Sequence, residues 1–401
     1  MKIIDSHVHI GLNEFCSPED VVLPYDLQND YDSYVAEMKK AGIEKACILP
    51  IPDKGYDIHK SNLYIKEAVE KYPDNFLPIC RLDRDICNNI NSDFCGAKLH
   101  KVYENISKNQ LVEYYKLLEY YDRPLIVHAA FMDKVKQIKQ IIKMAPNLKI
   151  ILAHMGRGHI YTSEGVLENA IELKKYENVF FETSTVGNAD TIEKVCNILG
   201  SERIMFGSDY PFGKIYLGDK YKYEDEIRVI TDSRLSDGDM ENILYETAKR
   251  IFRIDKSIST YITLYDEKYK ENFENLFSSL SKRDKDFLAI DHKMKVIREC
   301  MRKKKHIYVI ISENQFAGFF RESGRSNGYS LLEELVILPQ FRGKGLANET
   351  MGFFMKMYPS SYAKTNSKND IMNNLLIKCG YECVGGERIL NWEKMGNRIC
   401  S

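Results

Sequence analysis

Four histidines and an aspartate are the residues of this chain whose types and placement invite chemistry. "IDSHVHIG" sets His7 and His9 one residue apart; "PLIVHAA" carries His128, "KIILAHMG" His154 and "RIMFGSDYP" Asp209. Imidazole nitrogens and carboxylate oxygens are the donors that hold a divalent ion such as zinc. Side chains alternate along a strand, so His7 and His9 share one face, and a strict alternation puts Asp5 there too. Such a face is a poor apolar surface and half of a metal site. Each residue alone has a plainer reading. H-x-H arises by chance, His128 or His154 can be a satisfied core histidine, and Asp209 can cap the turn before Pro211. The metal reading gains weight only if a scaffold brings all five together.

The pattern around them predicts that scaffold. Short apolar runs recur at "KIIDSHVHI", "ACILPI", "FLPICRLD", "GAKLHKV", "PLIVHAA", "KIILAHMG", "VFFETST" and "RIMFGSDYP". Between them lie amphipathic segments such as "YDSYVAEMKKAG" and "DKVKQIKQIIKMAP", with apolar residues three and four apart. In "LSDGDMENILYETAKRIF", Ser236 and Asp239 have capping-box spacing. Eight strands each followed by a helix predict an α/β fold, a (β/α)8 TIM barrel over residues 1–255, whose function sits at the C-terminal ends of its strands. His7, His9, His128, His154 and Asp209 all fall at such ends. A doubly wound open sheet is disfavoured, because "HIGLNEF" is no dinucleotide fingerprint.

Bulk properties narrow the field. At 401 residues the chain exceeds one hydrophobic core, so two domains are expected, 1–255 and 256–401. A net charge of -1, with 44% hydrophobic and 29% charged residues, offers no electrostatic case for nucleic acid or an acidic membrane as partner. Ten scattered cysteines without a C-x-x-C pair, no leader pattern and no bilayer-length apolar run predict reduced thiols and a cytoplasmic protein. A small-molecule substrate is the expected partner, with a homodimer as one expected assembly.

The first two-thirds of the chain resembles the amidohydrolase superfamily, specifically the amidohydrolase-2 group with its aminocarboxymuconate-semialdehyde-decarboxylase-like enzymes. The matching pieces include "IDSHVH", "EMKKAGIEKACILP", "KYPDNFLPICRLD", "GAKLH", "PLIVHAA", "ILAHMG", "FETS", "FGSDYP" and "ENILYETAKRIF", in the group's order. The resemblance implies that His7, His9, His128 and Asp209 hold one divalent metal, commonly zinc. It places His154 beside the activated water, with Asp209 and His154 catalytic. A divalent ion lowers the pKa of a bound water toward neutrality, which suits hydrolysis of an amide, ester or lactone. The alternative within the group is non-oxidative decarboxylation. Lys98 reads better as a substrate salt bridge or a structural lysine than as a bridge to a second metal. His100 and His159 lie near strand ends and read as core or surface residues before substrate ligands. The loop "GLNEFCSPEDVVLPYDLQND" is expected to shape the pocket.

The last third changes character. "STYITLYDEK" reads as a strand, "YKENFENLFSSLSKRD" and "KMKVIRECMRKKK" as helices, and "IYVIISENQFAGFFRES" as a hairpin turning at Glu313, Asn314 and Gln315. A further strand, "YSLLEELVILP", leads into "QFRGKGLANETMGFFMKMY". Gly343 and Gly345 let the backbone curl its amides inward at a helix N-terminus, which suits phosphate. "VILPQFRGKGLA" resembles the acetyl-CoA-binding signature of the GNAT N-acyltransferase superfamily, an α+β fold. By that resemblance the amides of Arg342, Gly343, Lys344, Gly345, Leu346 and Ala347 hold the CoA pyrophosphate. The strand from Glu333 to Leu338, Ile337 included, bonds the pantetheine, and Asn369 contacts the CoA arm. Many members protonate the leaving thiolate with a tyrosine where this chain has Leu376. Acetyl-CoA is therefore an expected cofactor, either of the main activity or of a binding module without catalysis. Glu333 or Glu334 reads as a general base or as a solvated strand-edge residue.

Overall fold

Eight apolar strands close into one sheet in the first part of the chain, with a helix before the next strand wherever the connection is described. The link from the third strand to the fourth, residues 83–92, lies outside the described residues. The computed structural model describes residues 1–16, 29–52, 55–82, 93–100, 106–128, 134–254, 260–288, 290–303, 306–324 and 328–394. Two units result, Met1–Ser257 and Ile258–Ser401; the expected boundary after residue 255 lies outside the described residues.

In the first unit, β1 (Ile4–Ile10), β2 (Lys45–Pro50), β3 (Phe76–Arg81), β4 (Gly96–His100), β5 (Leu125–His128), β6 (Ile150–Leu152), β7 (Val179–Glu182) and β8 (Ile204–Met205) are parallel neighbours in chain order. The seam back to β1 is made by the segment after β8: Ser6 N–H donates to Phe206 O (2.9 Å), Asp209 N–H to His7 O (2.9 Å) and His9 N–H to Tyr210 O (2.8 Å). Alternate strand residues serve two apolar clusters. Ala46, Ile48, Val127, Leu152 and Phe181 pack with the helices, against Tyr34, Met38, Ile65, Leu118 and Ile138. Cys47, Leu49, Ile79, Ile126, Ile151, Phe180 and Met205 form the inner layer with Ile4, joined by Ala248 and Ile251. A fully buried Ile or Leu of this kind contributes about 1.5–3 kcal/mol.

One prediction fails on β1. The register slips between Asp5 and Val8, so parity changes there. Ile4 is in the inner layer and Val8 and Ile10 in the outer one. Asp5 therefore leaves the face of His7 and His9. It accepts the amides of His7 (2.9 Å) and Ser208 (3.1 Å) and the Tyr223 hydroxyl (2.5 Å), tying β1 to the segment after β8. Ser236 caps its helix as the spacing predicts, accepting the Asp239 amide at 3.2 Å.

The second unit is one mixed sheet. Its strands are β9 (Thr260–Leu264), β10 (Ile307–Ser312), β11 (Gln315–Gly324), β12 (Ser330–Ile337), β13 (Ser361–Asn366), β14 (Glu382–Gly385) and β15 (Ile389–Lys394). The order is β14-β15-β13-β12-β11-β10-β9, with β12 and β13 parallel and the remaining pairs antiparallel. The β10–β11 turn is tighter than expected: Glu313 and Asn314 take φ +52° and +61°, and Gln315 already pairs with Ser312. The parallel pair meets only at Ser330–Leu332 against Ser361–Ala363, so β12 parts from β13 beyond Leu332. Among the described residues, no helix is long and apolar enough to cross a membrane.

Candidate metal centre

The strand ends bring the expected residues to one rim. His7 and His9 come from β1, His128 closes β5, and Asp209 sits after β8. His154 lies not on β6 but in the single turn that follows it. Its φ is +56° and that of Asp209 +58°, a left-handed backbone that side chains rarely adopt and that costs of order 1–3 kcal/mol. Such strain persists where surrounding bonds over-determine it.

His7 Nε2 and His9 Nε2 lie 3.2 Å apart, and Asp209 Oδ1 lies 3.5 Å from the first and 3.3 Å from the second. Asp209 Oδ2 is 4.0 Å from His154 Nδ1. One ligand atom each from His7, His154 and Asp209 falls within 4.8 Å of the others. His128 stands a step away. Its Nδ1 is 3.1 Å from His154 Nε2, and its ring stacks on His100 with centroids 4.1 Å apart.

The donor inventory decides whether a cation fits. His9 Nδ1 faces the Pro50 carbonyl at 2.7 Å, which only accepts, so the proton is on Nδ1 and Nε2 is bare. Lys98 Nζ faces His7 Nε2 at 2.9 Å, and an ammonium only donates, so that nitrogen is bare too. Two lone pairs and a carboxylate oxygen thus converge with no proton among them. The Lys98 ammonium relieves part of that repulsion, and a divalent cation fits the remainder.

Electrostatics agree. Burial holds all four imidazoles below their usual pKa, reinforced at His7 and His128 chiefly by the Lys98 charge and at His154 by Arg157. They are neutral at neutral pH, as metal ligation requires. Burial pushes Asp209 upward, but the closeness of His9, His7 and Lys98 outweighs it and leaves the carboxyl below its ordinary value. Of the remaining expected residues, Lys98 is buried at the site, His100 is buried against His128, and His159 is exposed near Glu164. Residues 17–28 of the pocket loop lie outside the described residues.

Sequence reasoning missed three members. Glu182 is fully buried with Oε2 at 2.8 Å from His7 Nδ1; Ser184 Oγ is 2.7 Å from His154 Nδ1; and the Arg157 guanidinium bonds Thr185 Oγ1 at 2.6 Å and 3.0 Å. A Glu ending the apolar run "VFFE", with Ser two residues on, was the available signal. Gly207 is required beside it, because a Cβ there would stand 2.2 Å from Glu182 Oε1.

In the second unit, Gly343 and Gly345 take φ +78° and +86°, with open space where a side chain would project, and Gly345 caps the helix Leu346–Met357. Arg342 is tied to Ile337 O (2.9 Å) and Asp284 (3.3 Å). Lys344 lies 3.7 Å from Glu313. Asn369 caps the next helix through the Met372 amide. Leu376 is fully buried. Glu334 is neither solvated nor free for base chemistry: it is buried against Arg321 (2.6 Å) and Lys293 (2.7 Å), while Glu333 accepts from Ser323 at 2.9 Å.

Comparison with known proteins agrees with the barrel. No curated protein matches the chain. Among solved structures, 2,6-dihydroxybenzoate decarboxylase from Rhizobium is 18% identical with TM-score 0.50, over 64% of this chain and 100% of that one. A probable 2-pyrone-4,6-dicarboxylic acid hydrolase from Acinetobacter baumannii is 16% identical with TM-score 0.51, over 63% and 100%. A putative hydrolase of the same name from Pseudomonas putida is 16% identical with TM-score 0.51, over 64% and 98%. At these identities the likeness is one of fold. The family model described as "Amidohydrolase" (Amidohydro_2) matches residues 86–254, within the barrel unit.

Proposed function

We propose that the barrel is a metal-dependent hydrolase acting on a small molecule through an amide, ester or lactone carbonyl. The observation that carries this reading is the meeting of bare His7 Nε2, bare His9 Nε2 and Asp209 Oδ1 within 3.5 Å. His7, His9 and Asp209 would hold the ion, zinc being the first candidate for a histidine-rich set; His128 completes the set if its Nε2 turns to the same point. When bound, the ion supplies Lewis acidity and a water that is nucleophilic near neutral pH. Asp209 Oδ2, 4.0 Å from His154 Nδ1, would accept a proton and return it to a leaving group. His154, held in place by Ser184 and His128, would steady the reacting water by turning its bare Nε2 from His128 toward it. The same donors suit loss of carbon dioxide from an activated carboxylic acid. The test is turnover of a panel of amides, esters, lactones and aromatic carboxylic acids by protein as purified, chelated and re-metallated. Acid release that disappears on chelation and returns with metal supports hydrolysis; carbon dioxide release assigns the lyase reading; turnover indifferent to chelation contradicts both.

For the second unit we propose an acetyl-CoA site with N-acyltransferase character. Two observations favour it: β12 parts from β13 beyond Leu332, leaving a strand edge for an extended ligand, and two positive-φ glycines follow that strand. Leu376, buried and apolar, has no proton to give a leaving thiolate. Calorimetry with acetyl-CoA tests it, and unchanged affinity in Gly343→Glu contradicts the loop assignment.

A further inference from the structure

Glu182 makes more contacts than a carboxylate needs for burial. Oε1 accepts the Ser184 amide; Oε2 is approached by the His154 amide (3.2 Å), Ser184 Oγ (2.9 Å) and His7 Nδ1 (2.8 Å). The amides can only donate. His7 Nδ1 donates as well, because Lys98 requires the other ring nitrogen to be bare. The Ser184 hydroxyl has one proton and directs it at Glu182, so its lone pair faces His154 Nδ1 at 2.7 Å. That places the proton on His154 Nδ1. Thr185 Oγ1, 3.4 Å from the same nitrogen, does not oppose this: its proton goes to Ser184 O (2.7 Å) and it accepts from Arg157 (2.6 Å and 3.0 Å), so it offers His154 no proton. A neutral His154 then has a bare Nε2, facing His128 Nδ1 at 3.1 Å. His128 must donate there, and its own Nε2 is left bare.

We propose that Glu182, acting directly on His7 and through Ser184 on His154 and His128, is the positioning residue that sets the tautomers of three histidines at once. One buried carboxylate thereby decides which ring nitrogens are free at the rim. The consequence for metal affinity rests on the metal reading above; the tautomer assignment itself does not.

The test uses full-length, metal-stripped protein labelled with ¹⁵N-histidine, in which two-bond ¹H–¹⁵N correlations distinguish protonated from bare ring nitrogens. Wild type should show His7, His128 and His154 each as the single Nδ1–H form. Ser184→Ala should release His154 and His128 into mixed tautomers with His7 unchanged, and Ser184→Thr should restore the single form. Glu182→Gln should disturb all three and weaken Zn²⁺ binding by about 10–100-fold. If Glu182→Gln does not fold, Ser184→Ala carries the test, since it removes a single hydroxyl. An Nε2–H form at His7 or His154 in wild type, or an unmoved His154 in Ser184→Ala, overturns the proposal. Correct tautomers in a protein that binds no Zn²⁺ would sink the metal reading and leave this one standing.

Discussion

The barrel rim and the glycine loop of the second unit solve opposite problems. At the rim, reactive groups are side chains, buried and held in left-handed backbone at His154 and Asp209, with neighbouring carboxylates and hydroxyls fixing where each proton sits. At the loop, the candidate binding groups are backbone amides, and the space beside Gly343 and Gly345 is open. A metal site needs lone pairs at fixed points and strong desolvation to keep imidazoles neutral. A phosphate site needs curled amides and access. Chemistry that depends on one proton is built deep; recognition of a charged group is built at the surface.

That contrast can be broken most severely at Asp209. Asp209→Ala should abolish metal retention and barrel turnover while leaving acetyl-CoA calorimetry unchanged; loss of both signals would mean the units are not separable in this way. The second unit has its own buried charges, and Glu334→Ala leaves Arg321 with only the longer contact to Glu333 (3.4 Å). We expect a loss of about 3 kcal/mol, read by denaturant melting of that unit. The glycines sharpen the comparison. Gly207→Ala drives a Cβ against Glu182 and should cost about 1–3 kcal/mol along with weaker metal binding. Gly343→Ala meets no neighbour, so only its positive φ matters, about 1–2 kcal/mol with acetyl-CoA binding largely kept. Metal binding unchanged in Gly207→Ala, or acetyl-CoA binding lost in Gly343→Ala, would contradict the distinction between crowded and open site.

The smallest effect is a pH dependence at Glu226, outside the candidate ligand set. Burial pushes the Glu226 carboxyl up to about 7 from its ordinary 4.5, with the Tyr161 hydroxyl bonded to it at 2.9 Å. Between those values the folded protein holds a proton that the unfolded chain has released, so the stability this group contributes falls as pH rises from 4.5 to 7. Glu226→Gln should therefore gain on wild type across that window in thermal melts. A constant difference between the two proteins would contradict it.

Much of the barrel was legible because β-strands buried on both faces must be apolar runs, and all eight "KIID"- to "RIMF"-type runs contain strands. The rim histidines and Asp209 were legible because polar residues ending such runs have few other reasons to be there. Glu182 and Ser184 were not, since their partners lie 28 to 175 residues away in sequence. Asp5 was misplaced because strict alternation cannot foresee a register slip, and Glu334 because its two cationic partners come from a separate strand and helix.

The central claim is that His7, His9 and Asp209 are arranged for a divalent cation. Elemental analysis of wild type and Asp209→Ala, purified side by side without chelator, tests it most directly. About one zinc or similar ion per wild-type chain and none in the variant is the expected result. A folded wild type without a tightly held ion, or a variant that keeps it, would mean that these three residues do not form a divalent-cation site.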